Sequence, residues 1–149
     1  MPYEVNIRYS QKVRDQLIWL KRQTGLQHYH TLCRWGLCLS LQDPSPAREY
    51  QQGGDSIERQ TQGDGAEALH EISWMRLAQE YTPILELMIR KRLLDEGGED
   101  TQPAFQAMVQ AHVQRGLSRL MAGKKIRSIE DLIAIALQEQ EQSHEKTTA

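Results

Sequence analysis

Five histidines, two cysteines and two acid-poor runs of lysine and arginine are the groups in this chain that could do chemistry. His28-x-His30 has a spacing that could catch a metal. No carboxylate or cysteine nearby completes the set, so both read as loop histidines. His70-Glu71 opens like a zinc-protease motif, but Trp74 stands where the second histidine belongs. His112 falls on the apolar stripe of a helix, which fits a hydrogen-bonded core histidine better than a general base. Gly63-Asp64-Gly65-Ala66-Glu67-Ala68 matches a Gly-x-Gly-x-x-Ala string with no strand before it, and carries little weight as a dinucleotide site. Gly116 and Gly123-Lys124 are too far apart for a phosphate-binding P-loop. No nucleophile, base and orienting group form a set, so we expect no catalytic residue, no resident metal and no cofactor.

The charge pattern says more. The net charge is −2, yet residues 1–42 carry six bases (Arg8, Lys12, Arg14, Lys21, Arg22, Arg34) against Glu4 and Asp15. Residues 43–80 reverse this, with three bases and eight acids. His112–Ser128 then holds Arg115, Arg119, Lys124, Lys125 and Arg127 without one acid. Two local basic runs on a near-neutral protein point to a polyanion-binding surface, although either run alone would pass for a solvated helix face.

With 149 residues, 39% hydrophobic and 26% charged, the chain suits one soluble domain. No apolar run approaches the roughly 18 residues of a membrane span, and Met1-Pro2-Tyr3-Glu4 does not open a signal peptide. Cys33 and Cys38, without Cys-x-x-Cys spacing, fit a reducing cytoplasm rather than a disulfide framework.

The elements that must position these groups are mostly helical. Tyr3, Val5, Ile7 and Tyr9 alternate with polar residues, predicting a short N-terminal strand. Ser10 caps a helix with Val13, Leu17, Leu20 and Thr24 on its core face, closed by Gly25. Tyr29–Leu41 is a second helix, in which close packing against another backbone would offset the cost of Gly36. Residues 42–68 read as a long flexible connection rich in proline, glycine and glutamine. Order returns at Leu69–Leu77. Thr82-Pro83 starts a helix to about Leu94 whose Ile84, Leu85, Leu87, Met88 and Ile89 suggest a central position. Pro103 opens the clearest helix, with apolar residues from Phe105 to Met121. Ser128 and Asp131 then cap a short one through Leu137. The expectation is a mostly α, compact bundle of about five helices with a short N-terminal strand and a ribbon–helix–helix-like first half. It forms a single domain over 1–137, with 138–149 as a disordered tail.

Three runs carry a resemblance: Ile7-Arg8-Tyr9-Ser10, Asp15-Gln16-Leu17-Ile18-Trp19-Leu20-Lys21-Arg22-Gln23-Thr24-Gly25, and Leu32-Cys33-Arg34-Trp35-Gly36-Leu37-Cys38-Leu39-Ser40-Leu41. They resemble the DndE family, the smallest subunit of the bacterial DNA phosphorothioation machinery. Tyr81–Leu94 and the Phe105–Leu120 helix, with His112 and Arg115-Gly116, are similar to the family's second half. The long 42–68 connection and the C-terminal extension depart from it. The resemblance implies a small helical homotetramer that binds DNA, with a preference for nicked duplex, through surface lysines. It implies partners as well: a cysteine desulfurase, an ATP-pyrophosphatase-like iron–sulfur protein and an ATPase, which together replace a non-bridging phosphate oxygen by sulfur.

A non-catalytic subunit gripping the phosphate backbone is the reading that follows, with Arg8, Lys12, Arg14, Lys21, Arg22 and Arg34 as its DNA-binding set. Arg115, Arg119, Lys124, Lys125 and Arg127 form a second basic patch that meets either DNA or a partner. A ribbon–helix–helix repressor is the alternative, with Glu4, Asn6 and Arg8 reading bases. A DNA-nicking enzyme comes third. Leu32, Leu37, Leu41, Trp19, Trp35 and the Ile84–Ile89 surface offer more apolar area than one domain readily buries, so a homo-oligomer is expected. Cys33 and Cys38 lie about 140° apart around their helix. Both read as structural, in the core or at a subunit interface, rather than as sulfur carriers.

Overall fold

The computed structural model describes residues 3–47, 50 and 70–148, with side chains as far as 138. Strand β1 (Asn6–Tyr9) leads into α1 (Gln11–Thr24) and α2 (Tyr29–Leu41). Strand β2 (His70–Ser73) runs directly into the single-turn α3 (Trp74–Ala78), and a 3₁₀ turn at Gln79–Tyr81 joins it to α4 (Thr82–Asp95). Then come α5 (Gln102–Met121), a turn at Ala122–Lys124, and α6 (Ile129–Thr148). Most of residues 42–68 lie outside the described residues.

Local chemistry explains the boundaries. Ser10 Oγ accepts the Val13 N–H at 3.3 Å at the start of α1, and Gly25 ends it at φ 75°, where a Cβ would be strained. Thr101 caps α5 in the same way, accepting from Ala104 N at 3.3 Å. The helix α6 continues to Thr148, beyond the expected end at Leu137. Its Gln- and Glu-rich sequence keeps helix propensity after the apolar spacing stops.

The second strand was not expected. β2 pairs antiparallel with β1, placing Ile7 opposite Ile72 and Tyr9 opposite His70, and Trp74 N donates to Val5 O at 2.8 Å. Four residues of alternation are too few to read, and the partner is distant in sequence.

The core lies between the sheet and the helices. Leu17, Leu20, Leu32, Leu37, Trp74, Phe105, Leu117 and Leu120 are all buried, with the Trp74 ring edge-on to Phe105 at 5.1 Å. Its axis is the antiparallel pairing of α2 with α5, the most extensive contact between described elements. A Cβ at Gly116 would sit 1.8 Å from Gly36 O, so the two backbones touch. That contact is the compensation Gly36 was expected to need.

Two packing expectations are corrected. Leu32, Leu37 and Leu41 are buried within the chain, and Trp19 and Trp35 pack half-buried against the core. Helix α4 is peripheral rather than central: Leu85, Ile89 and Leu93 face inward, while Ile84, Leu87 and Met88 face out. Apolar residues around the whole helix therefore mark one covered side and one bare side, not burial all round.

Candidate nucleic-acid interface

The basic residues of the first run do not share one face. Val13, Leu17, Leu20 and Thr24 are the buried side of α1. Lys12 and Arg14 are separated by about 160° around the axis, on opposite flanks. Arg14 and Lys21, two turns apart, both reach the ring of Tyr29 at the start of α2, each 5.1 Å from its centre. This pair of cation–π contacts holds their charges beside the α1–α2 turn. Arg22 lies on the outermost side and is exposed, as are Lys12 and Lys21.

Two of the six are occupied elsewhere. Arg8 Nε lies 3.1 Å from Glu71 Oε1 on the adjacent strand, which cancels much of its charge locally. Arg34 donates to Leu77 O at 3.0 Å and lies over the Tyr81 ring. It borders a cavity of about 440 Å³ between α2 and α4, lined also by Trp35, Cys38, Ile84 and Leu85. Arg34 therefore does not extend the α1 surface, contrary to expectation.

The second run divides more sharply. Arg115 is buried, not part of a surface patch. Its Nε donates to Ser40 Oγ at 2.7 Å, Nη2 to Ser40 O at 2.9 Å, and Nη1 to Ser45 O at 2.9 Å. Arg92 adds bonds to Leu41 O at 2.7 Å and Asp43 O at 2.9 Å, and Arg119 pairs with the Asp43 carboxylate. Two guanidiniums, of Arg92 and Arg115, thus satisfy carbonyls at and just beyond the C-terminus of α2, where the helix dipole also favours cations, and the third, of Arg119, meets a carboxylate. Burial opposes ionisation of Asp43, but the Ser45 N–H, the Arg119 guanidinium and the Ser45 hydroxyl outweigh it and hold the carboxyl well below its usual range. The first residues of the 42–68 connection are tied down here rather than flexible.

His112 belongs to the same cluster. Its Nδ1 is 2.7 Å from Ser40 Oγ. The same hydroxyl oxygen accepts from Arg115 Nε, so Ser40 links the imidazole to the guanidinium. Nε2 is buried without a hydrogen-bond partner among the described residues. Burial, then the neighbouring Arg115 and Arg92 charges, push the imidazole down to about 3. His112 is a neutral core group.

Lys124, Lys125 and Arg127 are exposed, and their side chains make no ion pair or hydrogen bond among the described residues. Lys124 adopts φ 47°, an uncommon left-handed conformation for a side chain of its length.

The sequence reading missed a row of glutamines. Gln102 and Gln106 donate to Glu4 O at 3.1 Å and Asn6 O at 2.6 Å, and Gln110 accepts from Arg8 N at 2.9 Å. Their four-residue spacing on α5 was the available signal. With β2 on one side and these amides on the other, both edges of β1 are engaged within the chain.

The cysteines part company. Cys33 is buried, and desolvation pushes its thiol up to about 12. Cys38 is exposed, so of its two expected places, the core or a subunit interface, the core of the chain does not hold it. Its thiol borders the α2–α4 cavity, and partial burial raises its pKa against the pull of Arg34.

Beside this geometry, the family model described as DNA sulphur modification protein DndE matches residues 6–128. The chain belongs to the DndE family. That membership implies a role in DNA sulfur modification, and the matched residues span β1 through the basic 124–127 loop. No curated protein and no solved structure matches this DndE-family chain. Among the described residues, no helix is long and apolar enough to cross a membrane.

Proposed function

We propose that the protein is a non-catalytic, DNA-binding subunit of a cytoplasmic DNA phosphorothioation complex. It holds the phosphate backbone while partner proteins activate and insert sulfur. The observation that carries this reading is the cationic end of α1, where Lys21 and Arg22 are exposed and form no ion pair with an acid among the described residues. Such groups bind phosphate by charge and release counterions, without reading sequence. Electrophoretic shift and anisotropy titrations with intact and nicked duplexes of one sequence test it. Salt-sensitive, sequence-indifferent binding supports it; no binding at about 50 mM salt ends it. Tighter binding to the nicked duplex supports preference for nicks.

A homotetramer is part of the same proposal. Ile84, Leu87 and Leu94 on α4 are 60%, 69% and 61% exposed, more than an isolated chain gains by leaving in water. A monomer mass of 17.2 kDa by light scattering at micromolar concentration would count against assembly.

The repressor alternative weakens on geometry. Its ribbon needs β1 to pair with β1 of a second copy, but β2 and the α5 glutamines already occupy both edges. Sequence-specific binding to an unmodified operator would revive it. Metal-dependent strand cleavage would instead support the nicking enzyme.

A further inference from the structure

The exposed cations of the two basic runs are far apart in sequence but lie toward the same end of the bundle. The Ser40–His112 bond and the Gly36–Gly116 contact fix the register of α2 against α5 as antiparallel. From Gly36 back to Tyr29, and from Gly116 on to Met121, where α5 ends, the two helices run toward the same end of the bundle. Only Gly25–His28 separates α1 from α2, so Lys21 and Arg22 lie at that end too. Helix α1 also contacts α6, which follows the 124–128 loop.

Folding alone does not account for the loop cations. Ile126 between them is fully buried and anchors the loop while Lys124, Lys125 and Arg127 stay outside. They precede the N-terminus of α6, where the helix dipole disfavours positive charge. Asp131, in the first turn of that helix, is engaged by the Arg127 backbone N–H at 2.9 Å. Nor do they suit a protein interface. Such interfaces centre on apolar and aromatic anchors and are depleted in lysine, whereas the loop itself exposes no large apolar side chain, the exposed ones lying on α4, at Met75 and Tyr81 before it, and at Ile133 and Leu137 farther along α6.

We propose that Lys124, Lys125 and Arg127 join Lys21 and Arg22 in one composite cationic surface, and that this surface tracks the phosphate backbone of duplex DNA. The proposal rests on the DNA-binding reading above. It assigns the 124–127 loop to nucleic acid rather than to a protein partner, and separates it from Arg115 and Arg119, which serve the fold.

The test compares the full-length protein with a Lys124→Asn, Lys125→Gln double variant, asparagine being chosen because it tolerates the left-handed backbone. Binding to a fluorescent intact duplex is followed by anisotropy from about 50 to 200 mM salt. The slope of log K against log salt is expected to become shallower by about 1.8, at about 0.9 per lost phosphate contact, with an unchanged melting curve. A Lys91→Gln control, remote from this end and ion-paired with Asp95, is expected to keep the parental slope. If the parent binds DNA and the double variant keeps its slope and affinity, the composite surface is wrong while the DNA-binding reading stands. If the variant instead loses capture of a sulfur-modification partner with DNA binding intact, the loop belongs to protein contact and the proposal is overturned. If the parent fails to bind, both readings fall.

Discussion

The α2–α5 pair uses arginine and lysine in opposite ways at its two ends. At the C-terminal end of α2, Arg92, Arg115 and Arg119 converge on carbonyl oxygens and one carboxylate. At the other end, Lys21, Arg22, Lys124 and Lys125 face solvent. The difference lies in the acceptors each end presents. Open carbonyls at a helix C-terminus draw in cations, which then stabilise the fold and are lost to any ligand. At the other end α1 and α5 also finish, but Gly25 N closes on Lys21 O and Ala122 N on Arg119 O, and no carboxylate pairs with the nearby cations among the described residues, so they stay available. A run of basic residues is therefore not a surface until the structure shows what acceptors lie within reach.

The sharpest way to break this arrangement is at the crossing that sets both ends. Gly116→Val forces a side chain into the Gly36 carbonyl, and a loss of about 3 kcal/mol or more in urea unfolding is expected. Next is Arg115→Met. It leaves buried carbonyls and the Ser40 hydroxyl without their donor, at an expected cost of about 2 kcal/mol, while the salt slope for DNA stays parental. A shallower slope in that variant would undo the division between the two ends.

The acid response distinguishes the ends without altering the surface. Because the imidazole of His112 is pushed down to about 3, the unfolded chain binds its proton first. Stability from this group is complete above its unfolded pKa of about 6.5 and is lost as pH falls toward the folded value. His112→Gln is expected to flatten the pH dependence of the melting temperature between about pH 6 and 4. Asp43, held below its usual range, loses its contribution only at lower pH, below about 4. The smallest effect is expected at the surface cations. Arg22→Gln should remove about 0.9 from the salt slope if it contacts phosphate, whereas Arg8→Gln, already paired with Glu71, should change the slope little.

Much of this fold was legible because its signals are local. The Ser10 and Gly25 boundaries, the α5 stripe and the glycine at position 36 each announce themselves within a few residues. β2 was not legible, since His70–Ser73 gains its identity only from pairing with Asn6–Tyr9. The role of Arg115 was half legible. It stands three residues after His112 and seven after Met108, on the margin of the buried stripe, but its acceptors on α2 are tertiary. Charge counting found the cations and could not tell which were already bonded, so Arg115 and Arg119 were grouped with Lys124.

The glutamines of α5 have a consequence for solubility. A two-stranded sheet ordinarily exposes a free rim of amide and carbonyl groups that another extended chain can copy, which is how soluble domains begin to aggregate. Gln102, Gln106 and Gln110 stand in for a third strand with side chains alone, and a helix cannot propagate the pattern to a further molecule. The β1 side of the sheet thereby gives the core a strand without offering a template on which unfolded neighbours could grow.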